Sequence, residues 1–159
     1  MKIAICFFGI TRSLSHTIQS IEKNIVEPAR TLGDTRIFCH FFQQAEIKNQ
    51  RTNEFGKLNT NEHVLLNPDL LLIEEPDKCL NHCGFDSISK YGSPQNDNHQ
   101  SLKNLIHQLH SLDQAFKEAR KWQPDVYIFC RPDLLYHDSI EKDLKKAVHR
   151  RQQHADYVS

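Results

Sequence analysis

The chain has 159 residues, the length of one average domain, and its 20 Lys and Arg residues balance 20 Asp and Glu residues. This balance argues against a polybasic nucleic-acid clamp, which needs excess cations to displace counterions, and against an acidic disordered tail. The apolar runs are far shorter than the ~20 residues that span a bilayer, and no cleavable export signal is visible. We therefore expect a cytoplasmic protein with no nucleic-acid partner and no transmembrane segment.

The first apolar run covers residues 2–8 and is typical of a strand buried on both faces. A helix is predicted after it, starting at Ser13 or Ser15 as N-cap and running to about Leu32. Pro28 lies near the end of this helix, so we expect it to kink or fray the last turn. The chain therefore opens with a strand and a helix, as an α/β domain does.

The remaining segments continue the same alternation of strands and helices. In order, they predict a strand at 35–42, a long loop at 43–63 with a short helix at 61–66, a strand at 69–74, an irregular stretch, a helix at 98–122, a strand at 125–130, a short extension at 134–137, a helix at 140–154 and the opening of a strand at 156–159. Helical crossovers imply a mainly parallel sheet. We expect residues 1–159 to form a single three-layer α/β/α domain of Rossmann-like type.

A polar segment follows the predicted first strand, where ligands bind in open parallel sheets. Gly9 would allow close approach of the backbone to a ligand, the helix N-terminus favours an anion, and Arg12 could contact a phosphate in bidentate fashion. The spacing matches neither a Walker loop nor a Gly-x-Gly-x-x-Gly motif. A tight turn at Gly9 with a solvated Arg12 explains the segment equally well.

A second polar segment, Arg131-Pro132-Asp133, directly follows the buried run 125–130. A carboxylate at a strand end, held by a stiff proline, can bind a divalent metal that bridges a diphosphate. Arg131 could neutralise phosphate or hold Asp133 in place. The alternative is an Arg–Asp surface pair in a turn, which contributes little free energy.

Residues 7–13 (FFGITRS) and 125–134 (DVYIFCRPDL) together resemble a family of bacterial GT-A-like glycosyltransferases from polysaccharide and surface-glycan gene clusters. The resemblance covers the N-terminal, nucleotide-binding half of the family domain. It implies that the strand-end Arg-x-Asp corresponds to the Asp-x-Asp that holds a divalent metal and the sugar-nucleotide diphosphate. Asp133 would then be the metal-side carboxylate for Mn²⁺ or Mg²⁺, with Arg131 in place of the first Asp. The implied nucleotide-sugar-binding residues are Gly9, Thr11, Arg12, Ser13, Arg131 and Asp133, and the implied catalytic residues are Asp133 and Arg131.

The function implied by this resemblance is hexosyl transfer from a nucleotide-sugar donor to a polysaccharide or related glycan acceptor. Family members continue past the point where this sequence stops and carry acceptor-side residues there, so the domain is expected to be incomplete. Because the first Asp of the motif is missing, the sequence leaves open whether a metal binds. The alternative is a non-catalytic nucleotide-binding or protein-interaction module, in which the strand opening at 156–159 would be an unpaired edge that favours homo-oligomers.

Ten histidines raise the question of a separate metal site. Zinc sites normally use a second spaced pair of ligands, and no such pair stands out beside the segment Cys79-x-x-His82-Cys83, so an ordinary irregular segment is favoured. His107 and His110 are expected to be solvated, because no partner carboxylate is evident. His40, near the end of the second strand, could line the cleft, but a structural histidine with satisfied hydrogen bonds is favoured.

The predicted helix at 98–122 carries an apolar stripe and a polar stripe. Its expected core face consists of Leu102, Leu105, Leu109, Leu112, Phe116 and Ala119. The neighbouring polar residues Asn104, Gln108 and Ser111 either hydrogen-bond a ligand or face solvent. The helix is thus expected to cover one face of the sheet.

Overall fold

The computed structural model describes residues 1–49, 54–93 and 97–156. The strands in these ranges are β1 (Lys2–Gly9), β2 (Asp34–Phe42), β3 (Glu46–Asn49), β4 (Glu54–Lys57), β5 (Leu70–Glu74) and β6 (Val126–Cys130). The helices are α1 (Leu14–Ile21), α2 (Glu27–Leu32), α3 (Lys78–His82), α4 (Phe85–Ser89), α5 (Gln100–Lys121) and α6 (Glu141–Asp156), with a π-helical turn at Glu22–Val26 and a 3₁₀ helix at Glu62–Leu66. Among these residues, no helix combines the length and the hydropathy needed to cross a bilayer.

Within the described residues, the main sheet has the strand order β5-β2-β1-β6, and every neighbouring pair in it is parallel. The chain runs outward from β1 to β2 and β5, then returns to the other side of β1 to form β6. This reversal is the topological switch point, outside which ligands bind in open α/β sheets. The predicted α/β class with a mainly parallel, Rossmann-like sheet is confirmed.

Alternate side chains of β1 pack against different helical layers. Ile3, Ile5 and Phe7 face the layer that contains α1, α2 and α6, where the buried partners include Leu14, Ile21, Ile25, Ala29 and Leu144. Ala4 and Cys6 face α5, which presents its own small residues Ala115 and Ala119. A strand that is apolar on both faces therefore builds the three-layer arrangement.

Pro28 disturbs its helix as predicted, through a π-helical turn that lies before it rather than through a frayed end. Proline has no N–H to offer the carbonyl four residues earlier, which is that of Asn24. That carbonyl instead accepts a hydrogen bond from the Ile140 N–H at 3.0 Å, and the Asn24 side-chain amide donates to the Tyr136 carbonyl at 2.6 Å. The disturbed helix thereby holds residues 136–140 behind the end of β6.

The loop predicted at 43–63 is in part wrong, because it contains the antiparallel pair of β3 and β4, with Ile47 opposite Gly56. Its polar composition lacks the alternating pattern that signals a strand. The short helix predicted at the end of this loop is confirmed as the 3₁₀ helix. The irregular stretch that follows β5 contains α3 and α4.

The strand extension predicted at 134–137 is wrong, since these residues are not in a strand. Pro132 cannot donate to a sheet ladder, and side chains of α1 and the π-helical turn bind the backbone here instead. The strand opening predicted at 156–159 is wrong at Asp156, where α6 still continues. Residues 157–159 lie outside the described residues.

The predicted core face of α5 is wrong in part, because Leu105 and Leu109 are 52% and 57% exposed. The buried positions are Ile106, Ser111, Ala115 and Ala119. The central strand offers small side chains on this face, so the helix approaches closely with small side chains of its own. Ala119 is buried as predicted, whereas hydropathy wrongly placed Leu105 and Leu109 in the core.

Candidate functional site

The two polar segments predicted from the sequence meet at the switch point, because β1 and β6 are neighbours in the sheet. Arg12 Nε donates a hydrogen bond to Asp133 Oδ2 at 3.0 Å. Arg131 donates through Nε to Oδ1 at 2.9 Å and through Nη2 to Oδ2 at 2.6 Å. The Asp133 side chain is 6% exposed, whereas Arg12 and Arg131 are 25% and 37% exposed. A buried carboxylate thus holds two half-buried guanidinium groups in one place.

The turn that carries Arg131 and Asp133 is fixed to the protein by hydrogen bonds. Thr17 on α1 donates its hydroxyl proton to the Pro132 carbonyl at 2.6 Å. The Tyr136 hydroxyl accepts from the Arg131 N–H at 3.0 Å and donates to the Arg131 carbonyl at 3.1 Å. Burial raises the pKa of Tyr136, so this hydroxyl keeps its proton at ordinary pH. The turn is therefore a fixed scaffold for the two charged side chains.

The loop between β1 and α1 is shaped by Gly9, whose φ of 105° is a conformation that other residues rarely adopt. Its N–H donates to Ser111 Oγ at 2.8 Å. At the helix N-terminus, the Glu62 carboxylate accepts from the Leu14 N–H at 3.0 Å and from the Ser15 hydroxyl at 2.9 Å. The anion that this helix end favours is therefore a side chain of the protein itself.

Neither predicted N-cap serine caps α1 through its own oxygen. Ser13 occupies the N-cap position with φ 65° but makes no side-chain capping bond. Glu62 supplies that acceptor from the 3₁₀ helix. The sequence separation of 48 residues hides this partner from any local capping pattern.

A cleft of about 1020 Å³ opens beyond the ends of β1 and β6. This volume lies at the upper end of the usual range for ligand sites. Its lining includes Phe8, Gly9, Arg12, Phe42, Asp97, Asn104, Leu105, His107, Gln108, Arg131 and Asp133.

Four of the predicted site residues, Gly9, Arg12, Arg131 and Asp133, line this cleft together. Thr11 instead lines a separate small cavity. Ser13 is exposed and lines neither. Asn104 and Gln108 of α5 line the cleft, whereas Ser111 is fully buried. The nucleotide-sugar-binding role proposed for these residues stays a prediction.

The charges around Asp133 suit an anion better than a divalent cation. Two guanidinium groups and one carboxylate carry a formal charge of +1, and both carboxylate oxygens already accept hydrogen bonds from arginine. A Mn²⁺ or Mg²⁺ ion needs oxygen ligands that are free to face it. The Asp133 carboxylate therefore does not fit the metal-binding role in this arrangement, and the ion implied by the family resemblance stays a prediction.

Residues of α5 also line the cleft, and Asp97, two residues before the N-cap position of this helix, caps its first turn. Its carboxylate accepts a hydrogen bond from the Ser101 N–H at 2.9 Å. Hydrogen bonds from Ser101, the side chain foremost, hold the pKa of Asp97 below its usual value. This cap fixes the end of α5 that carries Asn104.

A buried histidine network lies between the sheet and α5. His40 is 2% exposed, and its Nδ1 lies 2.9 Å from Ser111 Oγ. Its Nε2 lies 3.1 Å from Glu74 Oε2, and His110 Nε2 lies 2.9 Å from the same oxygen. Burial lowers the pKa of His40. Partial burial would raise the pKa of Glu74, but the neighbouring imidazoles of His110 and His40 hold it below its usual value.

His40 is buried as expected, at 2% exposed. The expectation of a solvated His110 is wrong, because His110 is 14% exposed and contacts a carboxylate. His107 is also largely buried, at 13% exposed. Its Nε2 lies 3.6 Å from Asp77 Oδ1 and makes no hydrogen bond. The partner carboxylates are those of Glu74, at the end of β5, and Asp77, which follows this strand. The spacing of residues within α5 could not predict them.

No family model, curated protein or solved structure matches the chain in comparisons with known proteins. The site is therefore interpreted from its geometry.

Proposed function

We propose that the cleft binds the diphosphate of a nucleotide-sugar donor, and that the chain acts in glycosyl transfer from this donor to a glycan acceptor. The observation that carries the proposal is the pair of guanidinium groups, Arg12 and Arg131, held by Asp133 at the switch point of the parallel sheet. Arginine is the residue best suited to bidentate binding of phosphate. Parallel sheets of this order bind nucleotides at this place.

The same charges suit the chemistry of glycosyl transfer. Negative charge builds on the nucleoside diphosphate as the bond to the sugar breaks, and fixed positive groups stabilise it at that moment. Arg12 and Arg131 would contact the phosphates. Asp133 would act as a positioning residue that holds both guanidinium groups, so we expect donor binding without a divalent ion.

The walls of the cleft suit the rest of a nucleotide sugar. Asn104 and Gln108 on α5 offer amide donors and acceptors for sugar hydroxyls. Phe8 and Leu105 offer apolar surface for a base or a sugar ring. This mixture of apolar surface and a few polar groups is typical of small-molecule sites.

The test is calorimetric titration of the chain with UDP, GDP and CDP, each with EDTA and with Mn²⁺. We expect one nucleotide to bind in EDTA, and Arg131→Gln and Arg12→Gln each to weaken it at least tenfold, as for the loss of a charged hydrogen bond. Arg120→Gln is the matched control. Arg120 is an exposed arginine near the end of α5 that is not part of the cleft lining.

Two outcomes would contradict parts of this proposal. Binding that requires Mn²⁺ and disappears in Asp133→Asn would restore the metal role of that carboxylate. Equal affinity in the wild type, Arg131→Gln and Arg12→Gln would remove the site assignment altogether. If one nucleotide binds, transfer of the sugar from the matching nucleotide sugar to a glycan acceptor or to water, measured as released nucleoside diphosphate, separates a transferase from a module that binds without turnover.

A further inference from the structure

The buried histidine network presents three metal-ligating atoms to one point. Nε2 of His40, Nε2 of His110 and a carboxylate oxygen of Glu74 lie within 4.8 Å of one another. The carboxylate is 28% exposed, so the group is reached from solvent on that side. Its members come from β2, β5 and α5, and Phe42, which lines the cleft, contacts both imidazole rings.

The hydrogen bonds around Ser111 determine which nitrogen of His40 carries a proton. Ser111 Oγ lies 2.7 Å from the His40 carbonyl oxygen, a distance at which the hydroxyl proton must lie between them. The two lone pairs of Oγ then accept from the Gly9 N–H at 2.8 Å and from His40 Nδ1 at 2.9 Å. His40 Nδ1 is therefore the protonated nitrogen.

This assignment leaves the Nε2 lone pair of a neutral His40 pointing at a carboxylate oxygen 3.1 Å away. Two lone pairs at this distance repel each other unless a proton or a metal cation lies between them. A metal-bound imidazole is held in the same way, with its other N–H donating to a polar group of the protein. Ser111 thus occupies the position of the polar group that orients a metal-binding histidine.

The distances agree with this interpretation. In a tetrahedral zinc site with bonds of about 2.0–2.1 Å, ligand atoms lie about 3.3–3.4 Å apart. The Glu74 oxygen lies 3.1 Å and 2.9 Å from the two histidine nitrogens, so small side-chain rotations make room for an ion. Two histidines and one carboxylate form a common set for Zn²⁺ sites that keep an open position.

We propose that His40, Glu74 and His110 bind a divalent transition-metal ion of the Zn²⁺ type. This site is distinct from the arginine cluster, which consists of Arg12, Arg131 and Asp133. The ion binds to both Nε2 atoms and to the Glu74 carboxylate. Its remaining position opens on the side where Glu74 reaches solvent. Ser111 is a positioning residue that orients the His40 ring.

The test uses chelator-treated protein, titrated with Zn²⁺ by calorimetry and with Co²⁺ by visible absorption. We expect one ion per chain, with a Co²⁺ spectrum of low coordination number. Glu74→Gln and His110→Gln should each weaken Zn²⁺ binding more than about 100-fold, because outer-shell changes alone cost 10–100-fold. Thermal unfolding of each variant, with and without Zn²⁺, shows that it folds and whether the ion stabilises it.

Matched controls remove histidines elsewhere on the surface. His16 on α1 and His82 on α3 are both exposed, so His16→Gln and His82→Gln should leave Zn²⁺ affinity unchanged. Loss of binding in His82→Gln would place the ion at Cys79 and Cys83 and overturn the proposal. So would wild-type affinity in Glu74→Gln and His110→Gln, or the absence of Zn²⁺ binding by the wild type at micromolar concentrations.

Discussion

Single residues at the ends of β1 and β6 set the geometry of the candidate site. Asp133 holds Arg12 and Arg131 at hydrogen-bond distance, and Tyr136 fixes the backbone between the strand and that carboxylate. Gly9 turns the chain toward α1 while its N–H remains bound to Ser111. The backbone conformation and these hydrogen bonds therefore fix the positions of the two arginine side chains.

Replacing Gly9 with alanine tests the backbone at this point. A Cβ there would meet no atom within 4 Å, so the cost comes from the φ of 105° and not from a clash. We expect Gly9→Ala to lower the free energy of unfolding by about 1–3 kcal/mol, measured by urea denaturation. Gly56→Ala is the control, because its Cβ also meets open space and no left-handed φ applies. Equal stability of the two variants would show that the turn tolerates a side chain.

The first helix depends on an element far from it in sequence. Glu62 on the 3₁₀ helix accepts the Leu14 N–H and the Ser15 hydroxyl, so one short helix caps the other. The Asn24 carbonyl, freed by Pro28, binds the Ile140 N–H at the start of the last helical segment. The start of α1 and the carbonyl left without a partner by Pro28 are therefore both satisfied through tertiary contacts.

Removing the cap acceptor should weaken the docking of α1. We expect Glu62→Ala to lower the free energy of unfolding by about 0.5–2 kcal/mol, the usual cost of losing a helix cap. Faster hydrogen exchange at the first amides of α1 would locate the effect. Glu75→Ala serves as the control, because Glu75 is 69% exposed and pairs with Lys78 on the surface. An unchanged exchange rate at Leu14 would argue against the cap.

At the scale of the whole molecule, the sheet and α5 fit together through small side chains. Ala4 and Cys6 of β1 face Ala115 and Ala119 of α5, and close approach brings Ser111 to both Gly9 and His40. The arginine cluster and the histidine network thus depend on the same interface. A shift of α5 would disturb both.

A larger side chain at this interface tests how closely α5 packs against the sheet. Ala119 is fully buried, so we expect Ala119→Leu to lower the free energy of unfolding by about 1–3 kcal/mol through overpacking. Chemical denaturation followed by circular dichroism measures the change. The neighbouring Arg120 is exposed, and Arg120→Leu should change stability by no more than about 0.5 kcal/mol. Similar losses in both variants would contradict close packing of α5.

Periodicity along the chain was enough to predict the α/β class, the strands of the main sheet and the position of the two polar segments. These features depend on local patterns, such as the apolar run before Gly9 and the one before Arg131. The alternation of strands and helices also predicted that both segments lie at the carboxyl ends of parallel strands. The family resemblance rested on the same two segments, and its functional content stays a prediction.

Tertiary structure alone decided which groups meet. The separations from Arg12 to Asp133, from Leu14 to Glu62 and from His110 to Glu74 are too long for any local pattern to encode. Packing also buried Ala115 and left Leu105 and Leu109 of α5 exposed, because the helix lies close to the small side chains of β1 on that face. Local sequence thus determined the elements. The packing of these elements, and the hydrogen bonds that their buried polar groups require, determined the site.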